Sequence, residues 1–153
     1  LLFCVIRCDV MEELIKVLDS NLILISTEVV GDIIYMDVES TLIEVRCPYC
    51  QAASSRVHSR YTREFQDLPI QNMKTVIRLR NRKMFCPNQE CTHKTFAESF
   101  SFISPKSKKT NRLIEEIVQL SSKMSSVSAE KYLRAHVVRV GKSTICELLK
   151  KGR

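Results

Sequence analysis

Cys47-Pro48-Tyr49-Cys50 and Cys86-Pro87-Asn88-Gln89-Glu90-Cys91 are separated by the 35 residues 51 to 85. Each pair is close enough for one tight turn to aim both sulfurs at a single point, and the long insert lets two such turns meet there. Four thiolates arriving as two pairs are what a tetrahedral zinc ion takes, so the spacing predicts a zinc ribbon with Cys47, Cys50, Cys86 and Cys91 as ligands. Phe85 and Phe96 flank the second pair and supply apolar cover. His58 or His93 could stand in for a thiol, but four cysteines already close the site. His58 reads instead as a phosphate or base neighbour on a basic face, and His93 as a residue topping the second knuckle.

Cys-Pro-Tyr-Cys is also the dithiol motif of glutaredoxin-like oxidoreductases, in which a helix N-terminus lowers the pKa of the first thiol. That reading requires a long amphipathic helix directly after Cys50. Residues 51 to 60 instead contain two serines followed by polar and apolar residues in alternation, a strand pattern. A redox pair would also leave Cys86 and Cys91 without a role. A zinc-dependent deaminase is excluded because no His-x-Glu precedes a Pro-Cys-x-x-Cys.

Two strands inside the ribbon carry the positive charge. Alternation puts Arg56, His58 and Arg60 on one face and Val57 and Tyr61 on the other. From Thr75 to Phe85, Val76, Arg78, Arg80, Arg82 and Met84 share one face, and Ile77, Leu79 and Phe85 the opposite one. Arginines at i, i+2 and i+4 span about 13 Å at strand rise, close to two phosphate steps along a DNA strand. No acid shares that face, so it is expected to meet a polyanion. Asp67-Leu68-Pro69-Ile70 reads as the turn between the strands, because Pro69 cannot sit in a central strand.

Charge is unevenly distributed around this core stretch. The 153 residues carry a net charge of +7. Residues 1 to 45 hold two basic residues against nine acids, net −7, and the remainder holds 22 against 8, net +14. A basic two-thirds of this kind is the footprint of a nucleic-acid partner. Seven cysteines, an odd number, without a secretory signal point to a reducing, cytoplasmic compartment, and the apolar run Leu1 to Ile6 is too short for a signal or a membrane span. Met11 opens a clean helix pattern, so the first ten residues are expected to precede the natural start.

Before the ribbon, Met11, Leu14, Ile15 and Leu18 predict a short helix over 11 to 19. Leu22–Val30 and Ile33–Val38 predict a hairpin turning at Gly31-Asp32, and Thr41–Val45 a further strand. After it, Ser104 to Thr110 is a basic polar linker, and Thr110 or Asn111 can cap a helix with Leu113, Ile114, Ile117, Val118 and Leu120 as its apolar stripe. A second helix is expected from Ala129 to His136 with Tyr132, Leu133 and His136 facing inward. Thr144 and Glu147 form a capping-box pair opening a third, with Ile145, Leu148 and Leu149 buried and Cys146 as a small core residue. Helix, short helix, turn and capped helix match a helix-turn-helix, whose last helix would offer Lys142, Ser143 and Thr144 to the major groove. The fold class expected is α+β: an αββ segment (1–45), a zinc ribbon of antiparallel strands (46–103) and a three-helix helix-turn-helix (104–153).

Taken together, the first knuckle, Arg56-Val57-His58-Ser59-Arg60-Tyr61, Asp67-Leu68-Pro69-Ile70, Val76 to Arg82, and the second knuckle with Thr95-Phe96-Ala97-Glu98 resemble the N-terminal zinc-finger region of insertion-sequence transposases of the ISL-three family. The resemblance covers about residues 20 to 150. It implies structural zinc, a helix-turn-helix and recognition of double-stranded DNA at the terminal inverted repeats, with a DDE catalytic domain of RNase H-like type following. Arg153 comes before such a domain, so the chain is expected to be a truncated transposase without catalytic residues, nucleoid-associated, with no membrane partner, and able to associate with itself or with the full-length transposase. Gln51 departs from the glycine usual in such knuckles, where a left-handed turn is needed; a side chain there costs about 1 kcal/mol. A zinc-ribbon module that binds only protein, and a thiol oxidoreductase using Cys47 and Cys50, are the competing functions.

Overall fold

The computed structural model describes residues 2–151; Leu1, Gly152 and Arg153, which the outer expected segments include, lie outside them. The order is α1 (Leu2–Leu18), β1 (Leu22–Val30), β2 (Ile33–Ser40), β3 (Val45–Arg46), β4 (Ala53–Ser54), β5 (Val57–Ile70), β6 (Met73–Phe85), β7 (Thr95–Ala97), α2 (Asn111–Ser122), α3 (Ser126–His136) and α4 (Lys142–Lys151). The class is mixed α and β, with antiparallel strands. The main sheet runs β1-β2-β6-β5, with β7 added to the end of β6, and β3 and β4 form a separate pair.

Residues group into two units that are not contiguous in sequence: Leu1–Ser26, Asp37–Arg63 and Arg78–Ser101 in the first, and Thr27–Met36, Glu64–Ile77 and Phe102–Arg153 in the second. The long strands of both hairpins pass from one unit to the other, and nothing in local sequence marks where they do so.

Several local expectations shift. The first helix begins well before Met11 and stops at Leu18, where the Asp19 carboxylate accepts from the Asn21 N–H at 2.9 Å and turns the chain into β1. Gly31 makes the predicted turn with φ 59°, the left-handed value required at the first position of a two-residue hairpin loop. Strand β5 does not end at Pro69 but continues through it to Ile70. β5 is the edge strand of the sheet, the place where proline is tolerated. The turn is Gln71-Asn72, with φ 49° and 63°, a left-handed pair that contains no glycine to announce it. The strand expected over Thr41–Val45 is reduced to Val45–Arg46.

Strand β6 buries Thr75, Ile77, Leu79 and Asn81 in alternation and then buries Met84, so its phase slips between Asn81 and Met84. Met84 therefore joins the apolar side and Phe85 does not, opposite to the expectation from strict alternation. The slip coincides with the change of partner to β7, which pairs Met84 with Phe96.

In the second unit α2, α3 and α4 enclose one core of Leu113, Ile117, Ala129, Leu133, Val137, Val138, Val140 and Ile145, with Leu68, Leu120, Leu148 and Leu149 packed against it. Thr110 caps α2 by accepting from the Leu113 N–H, and Ser125 caps α3 by accepting from Ser128. Tyr132 and His136 are exposed rather than inward. Helix α4 starts at Lys142, before Thr144, so the capping box does not form: the Ile145 N–H bonds to the Gly141 carbonyl and Glu147 pairs with Lys151 at 3.1 Å.

A buried carboxylate ties α2 to β5. Asp67, 2% exposed at its side chain, accepts from Thr110 Oγ1 at 2.6 Å and from Arg112 Nε at 2.8 Å, and Arg112 Nη2 meets its other oxygen. The same segment bonds to the strand edge, with Gln66 N–H to the Lys108 carbonyl at 2.9 Å and Thr110 N–H to the Gln66 carbonyl at 3.0 Å. Removing one partner of a buried pair leaves an uncompensated charge. Asp67→Ala is therefore expected to lower stability by about 3 kcal/mol, the low end of the usual range because Arg112 keeps a 38% exposed side chain. Thermal unfolding by circular dichroism checks this, with Asp67→Asn losing less because it still accepts from Thr110.

Candidate metal centre and basic face

The four cysteine sulfurs of the two knuckles, Cys47, Cys50, Cys86 and Cys91, lie within 4.8 Å of one another, and Cys50 and Cys86 Sγ are 3.5 Å apart. A tetrahedron of sulfurs with bonds of about 2.3 Å has edges of about 3.8 Å, so these thiols stand near the corners of the tetrahedron that a central zinc ion would take. Cys47 and Cys91 are buried and Cys50 and Cys86 are half-buried. Met84 and Phe96 complete the inner shell, with Val45 and Val57 packed against it.

The first knuckle is held by its backbone. Gln51 N–H bonds to the Cys47 carbonyl at 2.8 Å, and Cys47 N–H returns to the Ala52 carbonyl at 2.9 Å. Gln51 takes φ 63°, the left-handed conformation that its position requires in spite of its side chain, and Arg46 Nη1 donates to its carbonyl at 3.1 Å. In the second knuckle Cys86 N–H bonds to the Lys94 carbonyl at 2.9 Å and Glu90 N–H to Asn88 Oδ1 at 3.0 Å. Tyr49 and His93 stack across the two turns, ring centres 3.5 Å apart and 5° from parallel. His93 thus tops the knuckles and is not among the clustered ligands. Without metal the sulfurs compete for protons. The Ala52 backbone draws the Cys50 thiol down to about 7, while burial pushes Cys86 up to about 12. After Cys50 the chain enters strand β4, not a helix, so the thiol oxidoreductase alternative lacks the helix dipole it needs.

The basic residues divide into two sets. Arg56, His58 and Arg60 are exposed. The Arg56 guanidinium lies over the Phe85 ring at 4.5 Å, and the His58 ring meets the same phenyl edge-on at 4.8 Å, which gives Phe85 its half-buried place. On β6 the premise of an acid-free face fails. Arg78 Nε pairs with Asp37 Oδ1 at 2.8 Å, Arg80 with Glu39 at 3.4 Å, and Arg82 with both oxygens of Glu98 at 2.8 and 2.7 Å. Asp37 and Glu39 come from β2, which lies beside β6 in the sheet. Cross-strand neighbours are invisible to alternation within one strand. Arg82 is 13% exposed and Glu98 2%, a two-pronged pair inside the fold; Arg80 remains 62% exposed. Burial works against the Asp37 charge, yet the Ser26 hydroxyl and the Arg78 guanidinium hold its carboxyl below the usual range. In α4, Lys142 and Ser143 are exposed and Thr144 half-buried in the first turn.

Residues 43–91 match the family described as the zinc-finger of transposase IS204/IS1001/IS1096/IS1165. The match covers about a third of the chain and includes all four clustered cysteines. Comparison with curated proteins and with solved structures gave no match. The match and the geometry agree on a zinc finger over residues 43–91, similar to that of these transposases, in which the clustered Cys47, Cys50, Cys86 and Cys91 fit a structural zinc ion.

In a site of this kind metal-binding energy is folding energy. The purified chain is expected to carry one zinc, to lose it on acidification as protons recapture the thiolates, and with Cys86→Ser to lose both the metal and the structure around the knuckles. Elemental analysis with circular dichroism reads both; a zinc-free, fully folded protein prepared without chelator would contradict the assignment.

Proposed function

We propose that this chain is the DNA-binding part of a transposase, recognising the terminal inverted repeats of its element as double-stranded DNA, with zinc as a purely structural ion. The observation that carries the reading is the transposase-type zinc knuckle pair beside a strand whose Arg56, His58 and Arg60 remain exposed. A cation held against carboxylate is a poor phosphate ligand. Arg78 and Arg82 accordingly brace the sheet, and of the three β6 arginines Arg80 is the one with a second role towards DNA.

The three-helix unit is read as a helix-turn-helix. Helices α3 and α4 are joined by residues 137 to 141 and share one core. Helix α4 would enter the major groove by its first turn, where Lys142 meets phosphate and Ser143 and Thr144 meet base edges. The net charge of +7 favours the encounter. The chain is read as having no chemistry of its own, since Asp32, Asp37, Glu39, Asp67 and Glu98 each pair with Lys or Arg and none is poised to share a catalytic metal. Such a module belongs in the cytoplasm with the nucleoid.

Salt dependence separates DNA binding from a protein-only zinc ribbon. Arg56→Ala with Arg60→Ala is expected to weaken binding to any duplex and to flatten the plot of log affinity against log salt by about 0.9 per lost phosphate contact. Ser143→Ala and Thr144→Ala should instead change the preference between terminal-repeat and unrelated duplexes. Fluorescence anisotropy over a salt series measures both. No binding to terminal-repeat DNA at low salt would refute the proposal.

A further inference from the structure

We infer that the turn over residues 104–109 is a phosphate-binding element, which seats Lys106 and Lys108 on the DNA backbone bordering the groove that α4 enters. This rests on the DNA-binding reading above and adds to it a second contact, one that is neutral to sequence.

A basic polar linker is ordinarily flexible, but this one is tied at every step. The Ser104 carbonyl accepts from the Ser107 N–H at 3.1 Å, closing a four-residue turn with Pro105 second and Lys106 third, the latter at φ 63°. Ser107 Oγ donates to the Lys109 carbonyl at 2.7 Å and accepts from the Lys109 N–H at 3.1 Å. The base is fastened on both sides: Ile103 bridges Thr110, Ser104 Oγ donates to Asn111 Oδ1 at 2.8 Å, and the Gln66 N–H bonds to the Lys108 carbonyl. Glycine or asparagine would take the left-handed third position more readily than lysine, so a charge stands where the backbone does not favour it.

The three lysines of the turn have no counter-charge. Lys106 and Lys108 are exposed and Lys109 is half-buried, and none of them forms an ion pair among the described residues, whereas Lys74, Arg112, Arg134 and Lys151 of the same unit do. Glu115 lines the same groove as Lys106 without pairing with it. Burial, with the Lys108 charge beside it, pushes the Lys109 amine down, as befits a cation that no carboxylate holds. A merely solvated lysine needs neither a fixed turn nor partial burial. A loop that binds an anion gains from a fixed turn, because its ordering is complete before the anion arrives.

Position selects the anion. The groove beside the turn is lined by Ile114 and Val118 of α2 and by Leu148 and Lys151 of α4. The turn therefore stands next to the last turn of the helix whose first turn is read as meeting base edges. From Lys142 to Lys151 α4 runs about 14 Å at 1.5 Å per residue, and the major groove is about 12 Å wide. With α4 in that groove, Lys106 and Lys108 reach the phosphates along its wall.

Fluorescence anisotropy of the full chain with zinc bound, over a salt series on a terminal-repeat duplex and an unrelated one, tests this. Lys106→Gln with Lys108→Gln is expected to weaken binding to both by the same factor, about sixtyfold at 0.1 M salt. The slope of log affinity against log salt should fall by about 1.8, at about 0.9 per phosphate. Both side chains are exposed, so circular dichroism and zinc content should not change. Lys106→Arg with Lys108→Arg keeps the charges and is expected to keep the wild-type slope. A wild type that binds with a slope the glutamine variant shares would overturn the inference and leave the DNA reading standing. A loss confined to the terminal-repeat duplex would also overturn it, since a phosphate contact carries no sequence. A wild type that binds neither duplex at low salt would remove both.

Discussion

Four sulfurs converging on one metal is the constraint on which the first unit depends. The apolar cluster around the cysteines is small: among the described residues its buried non-cysteine members are Met84 and Phe96. A cluster of that size cannot offset the backbone entropy of two knuckles and of the short β3–β4 pair, whereas a zinc–thiolate centre can. Tyr49 and His93 belong to different knuckles, so their stacking accompanies the meeting of the knuckles. The start of β5 is tied to the same place, since Val57 packs on the cysteine cluster and Arg56 and His58 lie against Phe85.

The helical unit relies on a different device. Its core is aliphatic and larger, and its attachment to the strands is polar. Asp67 receives Thr110 and Arg112 at once, while Thr110 also caps α2. One hydroxyl therefore donates to the strand's carboxylate and accepts from the first turn of the helix. Such a junction has directional geometry that apolar contact lacks, and so it fixes where α2 begins relative to β5. It also explains why the Asp67-Leu68-Pro69-Ile70 stretch is strand: the carboxylate has to be presented from a β5 edge bonded to the Lys108–Thr110 segment.

What could be read from sequence follows the range of the forces involved. The knuckles were legible because metal chemistry dictates spacing, and the four cysteines that spacing names are the ones whose sulfurs cluster. The first hairpin and the cap at Thr110 were legible because glycine and threonine act on their immediate neighbours. The second hairpin was not, because Gln71-Asn72 adopts a left-handed pair without the usual residue types. Met84 was placed on the wrong side because the pattern was carried across a phase slip that a new partner strand imposes. The partners of Arg78, Arg80 and Arg82 lay beyond reach for the same reason: Asp37 and Glu39 are some forty residues away in sequence.

Those pairings recast the charge asymmetry of the chain. An acidic first third and a basic remainder look like two opposed surfaces, but part of that opposition is satisfied internally where β2 lies beside β6. Arg78 with Asp37 and Arg80 with Glu39 are the same exchange repeated along two strands, and Lys74 makes it with Asp32 in the turn before β2. Ion pairs that keep part of their surface in water add little stability, so their effect is chiefly on specificity: they favour the register that matches each acid with a base and penalise a slip that would set like charges together. Cations used in this way no longer represent free positive charge. The potential available to a polyanion then rests on exposed residues outside that exchange, among them Arg56 just before β5, Arg60 within it and Lys142 at the start of α4. A sum over the sequence overstates how much of the +7 any one face can present, and the cross-strand pairing decides which residues present it.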